Sequence, residues 1–562
     1  MNPTEQDSFG GGSSAGSGGN FSGGPIFSGS DAAARLPPEQ ETSASFELPH
    51  AGQRFVFAAN PDSNNVAVID GTTLAIHTVE AGAKPKFLQT LGGTDAAIVL
   101  NVDSSDATIL RTSSDGSSVT STVDVQRGSN AIAVAPDGAH AVVYYDDTFS
   151  SSDSVPGSFQ DITVVTLAPG KDRSVGMTVG FRPMQVFFSS DGRKGFVVTE
   201  DGVSVLDFAT IEKDGAGIAT TIPLGNTGVD QTLDVSVTAD GRYALARKEG
   251  TSELRLLDLE TRHIARLDVA QIVAGATGPV PDGGAPSGPG DAGAPAVDGG
   301  SDATAPPPVP PTPPPPLTGT LTDVDLAPGG DKAKAVVREL SAAVKLPIPG
   351  AFTDPSSATV TRIPGELVGS VTLSPNGKYA LLYTTADDTN ERLTILGLSP
   401  SRAPQSYQLR KSIAAIAIAP DDATALVVHK KLPGDPNEPG IDKEIKIDRQ
   451  DGYSVVQLDT GFPKLQVTQA PLGPFAAIPD GSQLFILFSA GTLHEVQKVD
   501  LRSFFIQSIE LGSPPVSVGP VPSSKKVFVG QDHPDGRISF VDWTTGAVES
   551  VTGFELNSRI QQ

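Results

Sequence analysis

The chain has 562 residues, of which 65 are acidic and 40 basic, for a net charge of −25, with 60 glycines, 47 prolines and no cysteine. The missing cysteine excludes a disulfide framework, a thiolate zinc site and a cysteine nucleophile, and the acidity sets the surface against phosphate backbones, so no nucleic-acid partner is expected. The glycine and proline content argues against a helical bundle, and no apolar run of ~18 residues is present to predict a transmembrane segment.

Residues 1–45 hold Gly10-Gly11-Gly12, Gly18-Gly19 and Gly23-Gly24 among many serines, the composition of a disordered Gly/Ser-rich leader. Met1-Asn2-Pro3 opens no basic start with an apolar run behind it, so the sequence as given carries no secretory signal. A Gly/Ser tail before a Cys-free β domain is similar to the tether of bacterial surface lipoproteins, whose anchoring cysteine would lie upstream of Met1.

From Phe46 onward a single unit recurs: an alternating strand, a turn of the form Ser/Ala-Pro-Asp-Gly, a continuously apolar strand, and a third strand often closing on Asp. It reads clearly at Ile132-Ala133-Val134-Ala135-Pro136-Asp137-Gly138, at Val186 with Ser190-Asp191-Gly192, and at Val235 with Asp240-Gly241. It returns at Val371 with Pro375-Asn376-Gly377, at Ile416 with Pro420-Asp421, and at Phe475 with Pro479-Asp480-Gly481, with degenerate copies near Lys86, Val324 and Val516. Proline presets the first corner of such a turn, Asp bonds its own backbone and Gly accepts positive φ, so each copy predicts an antiparallel hairpin. Turn positions 138, 192, 241, 330, 377, 422 and 481 are spaced by one four-stranded blade, except where 272–318 intervenes. That segment contains fourteen prolines between Gly278 and Pro316. It reads as a disordered insertion, flexible at its start and polyproline II at its end.

The second strand of each unit, such as Leu484-Phe485-Ile486-Leu487-Phe488, is apolar without alternation, which requires cover on both faces. The connections lack helical periodicity, and Lys332–Lys345 aligns with the second and third strands of its neighbours. Radial stacking of sheets covers both faces without helices, so the fold class is all-β: a β-propeller of four-stranded antiparallel blades spanning 46–562. The stretch Phe55-Val56-Phe57-Ala58-Ala59-Asn60-Pro61-Asp62-Ser63-Asn64-Asn65-Val66-Ala67-Val68-Ile69-Asp70 resembles the repeat of the YVTN family of bacterial, WD40-like propellers. The resemblance covers most of 50–555 and implies a fold more than a function.

Eight to ten repeats are countable. The copy at Phe55 lacks an inner strand, and the extra segment Phe554–Ile560 is placed to supply it and close the ring; two rings of five, split at the proline insertion, are the alternative.

Patterns of catalysis fall in the wrong contexts. Gly12-Ser13-Ser14-Ala15-Gly16 lies in the leader, Gly288-Pro289-Gly290-Asp291-Ala292-Gly293 in the insertion, and His494-Glu495-Val496-Gln497-Lys498 lacks the second His of a zincin helix. The resemblance extends to lactone hydrolases and redox-associated propellers with a site over the central channel, which is the alternative function, but no catalytic residue, cofactor or metal is assigned. The long loops after second strands, Asp146–Gln160, Thr384–Glu391, Lys431–Gly452 and Gln531–Gly536, belong on one face together with the insertion. That face carries the binding candidates Asp146, Asp147, Asp153, Asp387, Asp388, Asp435, Glu438, Asp442, Asp532, His533 and Asp535. Calcium is conceivable from the carboxylates, though no EF-hand spacing occurs. The expectation is a non-catalytic propeller of the cell envelope or exterior, with a protein or glycan partner and a lipid tether upstream of the given start.

Overall fold

The repeated turn folds as its residues dictate. In the computed structural model, which describes residues 51–149, 157–225, 232–276 and 319–554, Gly138, Gly192, Gly241, Gly377 and Gly481 take φ values between 66° and 69°. The aspartate before the glycine turns its carboxylate onto the backbone two residues ahead, as Asp137 does to Ala139 N at 3.0 Å and Asp480 to Ser482 N at 2.9 Å. Asp422 occupies the glycine place with φ +58°. It is kept there by bonds across the blade boundary, from Ser374 Oγ at 2.9 Å and Asn376 N at 3.1 Å.

Ten antiparallel sheets follow in chain order, at 55–80, 85–124, 131–178, 185–222, 232–268, 321–362, 370–408, 413–468, 472–510 and 515–552. Eight are four-stranded meanders; the third gains a short fifth strand, Gly217–Ile218, paired in parallel with Arg173–Thr178. The first has three strands, Phe55–Asn60, Asn65–Asp70 and Ile76–Glu80, the first of which matches the second strand of the other blades. Its inner place holds no described strand. Residues 555–560 of the tail expected there, the leader, and most of the proline insertion lie outside the described residues.

Ten hydrophobic clusters each draw on two successive blades. In the ninth blade Leu484 and Ile486 face the eighth blade's cluster while Phe485 and Leu487 face the tenth's. The second strand therefore alternates in partner and not in polarity, which is why its residues are uniformly apolar; each such side chain contributes about 1.5–3 kcal/mol by leaving water. Leu254 and Leu256 of the fifth blade share a cluster with Leu321 and Val344 of the sixth, so packing continues across the insertion and the alternative of two five-bladed rings does not hold. Ala51, Val56 and Ile69 pack with Phe528, Phe540 and Phe554, which closes one ring of ten between its last and first blades.

Aspartates at third-strand ends cap the turns that follow. Asp258 accepts from Glu260 N and Thr261 N, Asp500 from Arg502 N and Ser503 N, and Asp542 from Thr544 N and Thr545 N. Among the described residues four short α-helices, which the connections do not predict, decorate the blades: α1 (Phe208–Asp214), α2 (Val269–Gly275), α3 (Gly350–Thr353) and α4 (Lys443–Asp448). Asp207 and Asp268 cap α1 and α2 by accepting from Thr210 N and Gln271 N; thus the same strand-end aspartate starts either a turn or a helix. Residues 272–275, read from sequence as the start of the insertion, are the last turn of α2. None of the described helices is long and apolar enough to cross a membrane.

Candidate functional site

In a meander the connection from second to third strand and the link to the next blade leave the sheet on the same side. The loops 145–160, 384–391, 430–450 and 532–536 are all of the first kind, and the connection 269–320 is of the second. Their described ends therefore leave the sheets on one side, while the Pro-Asp-Gly turns occupy the other.

At the third and fourth blades, Asp146 is buried and serves the loop itself: its carboxylate accepts from Thr148 N at 2.9 Å and Thr148 Oγ1 at 2.6 Å, and its backbone exchanges two bonds with Asn130. Asp147 pairs with Arg182, which also pairs with Glu200. Beside this ion-pair bridge, Phe159 stacks on Phe181 with ring centres 5.6 Å apart and meets Tyr145 edge-on at 5.5 Å. Phe159, Phe181 and Met184 are exposed. Asp153 lies outside the described residues.

At the seventh and eighth blades, the loops hold one another. Lys430 Nζ crosses to Thr385 O at 2.5 Å and Asp388 Oδ1 at 2.6 Å, and Asp387 accepts from Thr389 N at 2.8 Å. Asp442 caps α4 by accepting from Glu444 N at 2.8 Å. Asp435 caps Asn437 N, and Arg449 bonds Glu438 at 2.6 Å. Lys411, 1% exposed, donates to Ile447 O at 2.8 Å and Asp448 O at 2.9 Å, the last carbonyls of α4. Burial pushes its ammonium pKa down, opposed by the charges of Asp448, Asp451 and Glu391.

At the tenth blade, Asp532 is exposed, and His533 Nδ1 accepts from Asp535 N at 3.2 Å. The candidates thus form three separate groups on one face and do not converge. Most of their carboxylates brace the loops. Sequence pattern did not single out the cations that complete them, Arg182, Lys411, Lys430 and Arg449, because each acts across a blade boundary or along a loop with no periodic signal.

The described histidines sit on six different blades, at 77, 140, 263, 429, 494 and 533. His429 is a wall residue: Nδ1–H donates to Ser412 O at 3.1 Å and Nε2 accepts from Ser454 Oγ at 2.7 Å. Burial holds its pKa down at about 4. Among the described residues no three His, Asp or Glu side chains form a group that could hold a metal.

No family model matches the chain, and no curated protein matches it. Solved structures are similar in fold. A eukaryotic initiation factor structure aligns with 90% of this chain and 97% of its own at 9% identity and TM-score 0.45. Dihydro-heme d1 dehydrogenase NirN in complex with DHE aligns with 76% of this chain and 75% of its own at 13% identity and TM-score 0.39. The β-propeller domain of Myceliophteria thermophila Cps50 (Swd1) aligns with 69% of this chain and 99% of its own at 13% identity and TM-score 0.32. The likeness concerns the fold alone, and the sheets themselves make this chain a ten-bladed β-propeller.

Proposed function

We propose that the chain is a non-catalytic propeller of the YVTN type that acts at the cell envelope or exterior and captures a protein or glycan through its loop-rich face. One observation carries the reading: the described ends of four loops and of the 269–320 connection leave the same side of the ring, and insertions gathered on one face of a repeat protein usually mark its binding surface. The ion pairs and caps at Asp147, Asp388, Glu438 and Asp442 support it further, since loops braced before binding lose less entropy on contact. The proposed contact set is the three groups around Asp146, Asp147 and Asp153, around Asp387, Asp388, Asp435, Glu438 and Asp442, and around Asp532, His533 and Asp535. Placement at the envelope, with a lipid tether, rests on the Gly/Ser leader.

The test replaces 434–441 by Gly-Ser-Gly. That deletion spares the Asp442 cap, α4 and the strand Asp451–Gln457, which a cut extending to Gly452 would destroy. Capture of partner from an envelope extract is expected to fall at least about tenfold, with the thermal unfolding midpoint unchanged within about 2 °C. Unaltered capture counts against the reading, and so does a collapse of folding.

A further inference from the structure

In the second strand of a blade, the residue four places past the turn glycine packs against the next blade. Val142, Phe196, Leu245, Leu381, Leu426 and Phe485 hold that place, all apolar and all buried. The sixth blade breaks the pattern: four places past Gly330 stands Lys334, only 4% exposed. Ala333, Ala335 and Val337 pack toward the fifth blade and Val336 toward the seventh, so Lys334 faces the boundary with the seventh blade. No described carboxylate lies within ion-pair distance of its ammonium group, and it makes no hydrogen bond to a described residue. Burial, and then the like charge of Lys345, push its pKa down to about 8, as a cation without a counter-ion requires.

The register sets a row of polar groups across this face of the sheet. Lys334 lies opposite Asp325 on the first strand and Lys345 on the third, and Lys345 lies opposite Thr359 on the fourth. Asp325 Oδ2 accepts from Leu373 N of the seventh blade at 2.9 Å. One carboxylate against two ammonium groups leaves a positive charge over, and the two ammonium groups repel each other. An anion between them turns the row into alternating charges, and it relieves the cost of a buried cation left unpaired. Lys345 and Thr359 are exposed, so the outer end of the row is open to a ligand. Lysine is a compact point charge that suits a tetrahedral oxyanion, whereas a planar carboxylate is matched better by the arginine fork. We propose that Lys334 and Lys345, with the Thr359 hydroxyl beside them, bind one phosphate group, free or on a small ester, at the boundary of the sixth and seventh blades. The site is independent of the loop-rich face and stands or falls without it.

The probe is radiolabelled inorganic phosphate, dialysed to equilibrium against the full chain at neutral pH with ionic strength held by sodium chloride. About one phosphate per chain is expected, with a Kd of about 1 mM or tighter. Acetate should compete at least about tenfold less well. Glycerol phosphate competing as well as the free ion assigns the site to a phosphoryl group of a larger ligand; competition by inorganic phosphate alone restricts it to the free ion. Lys334→Leu, which installs the residue type found at this place in the fifth, seventh and eighth blades, is expected to weaken binding at least about tenfold, while the unfolding midpoint without phosphate holds or rises. Lys345→Gln, at an exposed position where folding is not at stake, should weaken it several-fold. Lys171→Gln, which removes the same charge from an exposed turn of the third blade, should change it less than about twofold. No binding at about 10 mM phosphate, full binding by Lys334→Leu or by Lys345→Gln, equal loss in Lys171→Gln, or equal competition by acetate would each overturn the assignment.

Discussion

His429 is nearly enclosed, and its two ring nitrogens are matched to one acceptor and one donor only in the neutral form. Its pKa lies at about 4 in the fold against an ordinary 6.5, chiefly through burial. Between those values the unfolded chain binds the extra proton, so stability is complete above about pH 6.5, falls as pH is lowered toward 4 and levels off below. The full shift corresponds to at most about 3 kcal/mol. His429→Gln can keep both hydrogen bonds without a proton to gain; urea unfolding across pH 7 to 4 is expected to show a steeper loss for the wild type than for the variant. At the turn after Ile418, Asp422 combines left-handed backbone with bonds from Ser374 Oγ, Asn376 N and Asn376 Nδ2 of the preceding blade. Asp422→Gly keeps the backbone and loses the bonds, at about 1.5–3 kcal/mol, whereas Asp422→Ala also takes on backbone strain of about 1–2 kcal/mol. The alanine protein is expected to unfold at lower urea than the glycine protein; the reverse order would show that the left-handed backbone carries no strain, and a glycine protein as stable as the wild type would show that the bonds carry little.

At the scale of elements, the hairpins were legible because their chemistry is local. Ala135-Pro136-Asp137-Gly138 states its own turn, and Leu257-Asp258 its own cap. The helices were not, since α1 and α2 are only seven residues long and their start signal, Asp207 or Asp268, is the same residue type that elsewhere begins a plain turn. What distinguishes them is apolar residues finding a cluster: Phe208 and Ile211 in one, Val269 and Val273 in another. The candidate loops were legible as insertions, but their bracing was not. Arg182 and Asp147 are 35 residues apart and Lys430 and Asp388 are 42 apart, separations that carry no local signature. Lys411 fixes the end of α4 from a neighbouring segment, so Lys411→Met leaves Ile447 O and Asp448 O with only Gln450 N and Leu432 N as donors and is expected to speed hydrogen exchange at 443–449 by about tenfold or more, while exchange in the strand Thr424–His429 stays slow. Uniform acceleration across the blade would instead make Lys411 a general packing residue.

For the whole molecule, sequence spacing located the blades, and three-dimensional closure fixed their number. Whether the copies formed one ring or two turned on contacts such as Leu254 with Leu321 across the insertion, and Ile69 with Phe540 across the ends. A closed ring has no privileged seam. Phe540, fully buried between the tenth and first blades, and Phe196, fully buried between the fourth and fifth, should cost the same about 3–5 kcal/mol when each is replaced by alanine. A near-neutral Phe540→Ala beside a damaging Phe196→Ala, read by thermal unfolding, would mean that the ring opens at the seam.

Ala51 and Phe554 lie in one cluster although they are the outermost described positions of the polypeptide. Sequence order and spatial order are thus decoupled: where translation begins is arbitrary with respect to the circle. A permuted gene that starts at Leu317, finishes at Pro279 and fuses the native ends through a Gly-Ser bridge is expected to yield the same assembly.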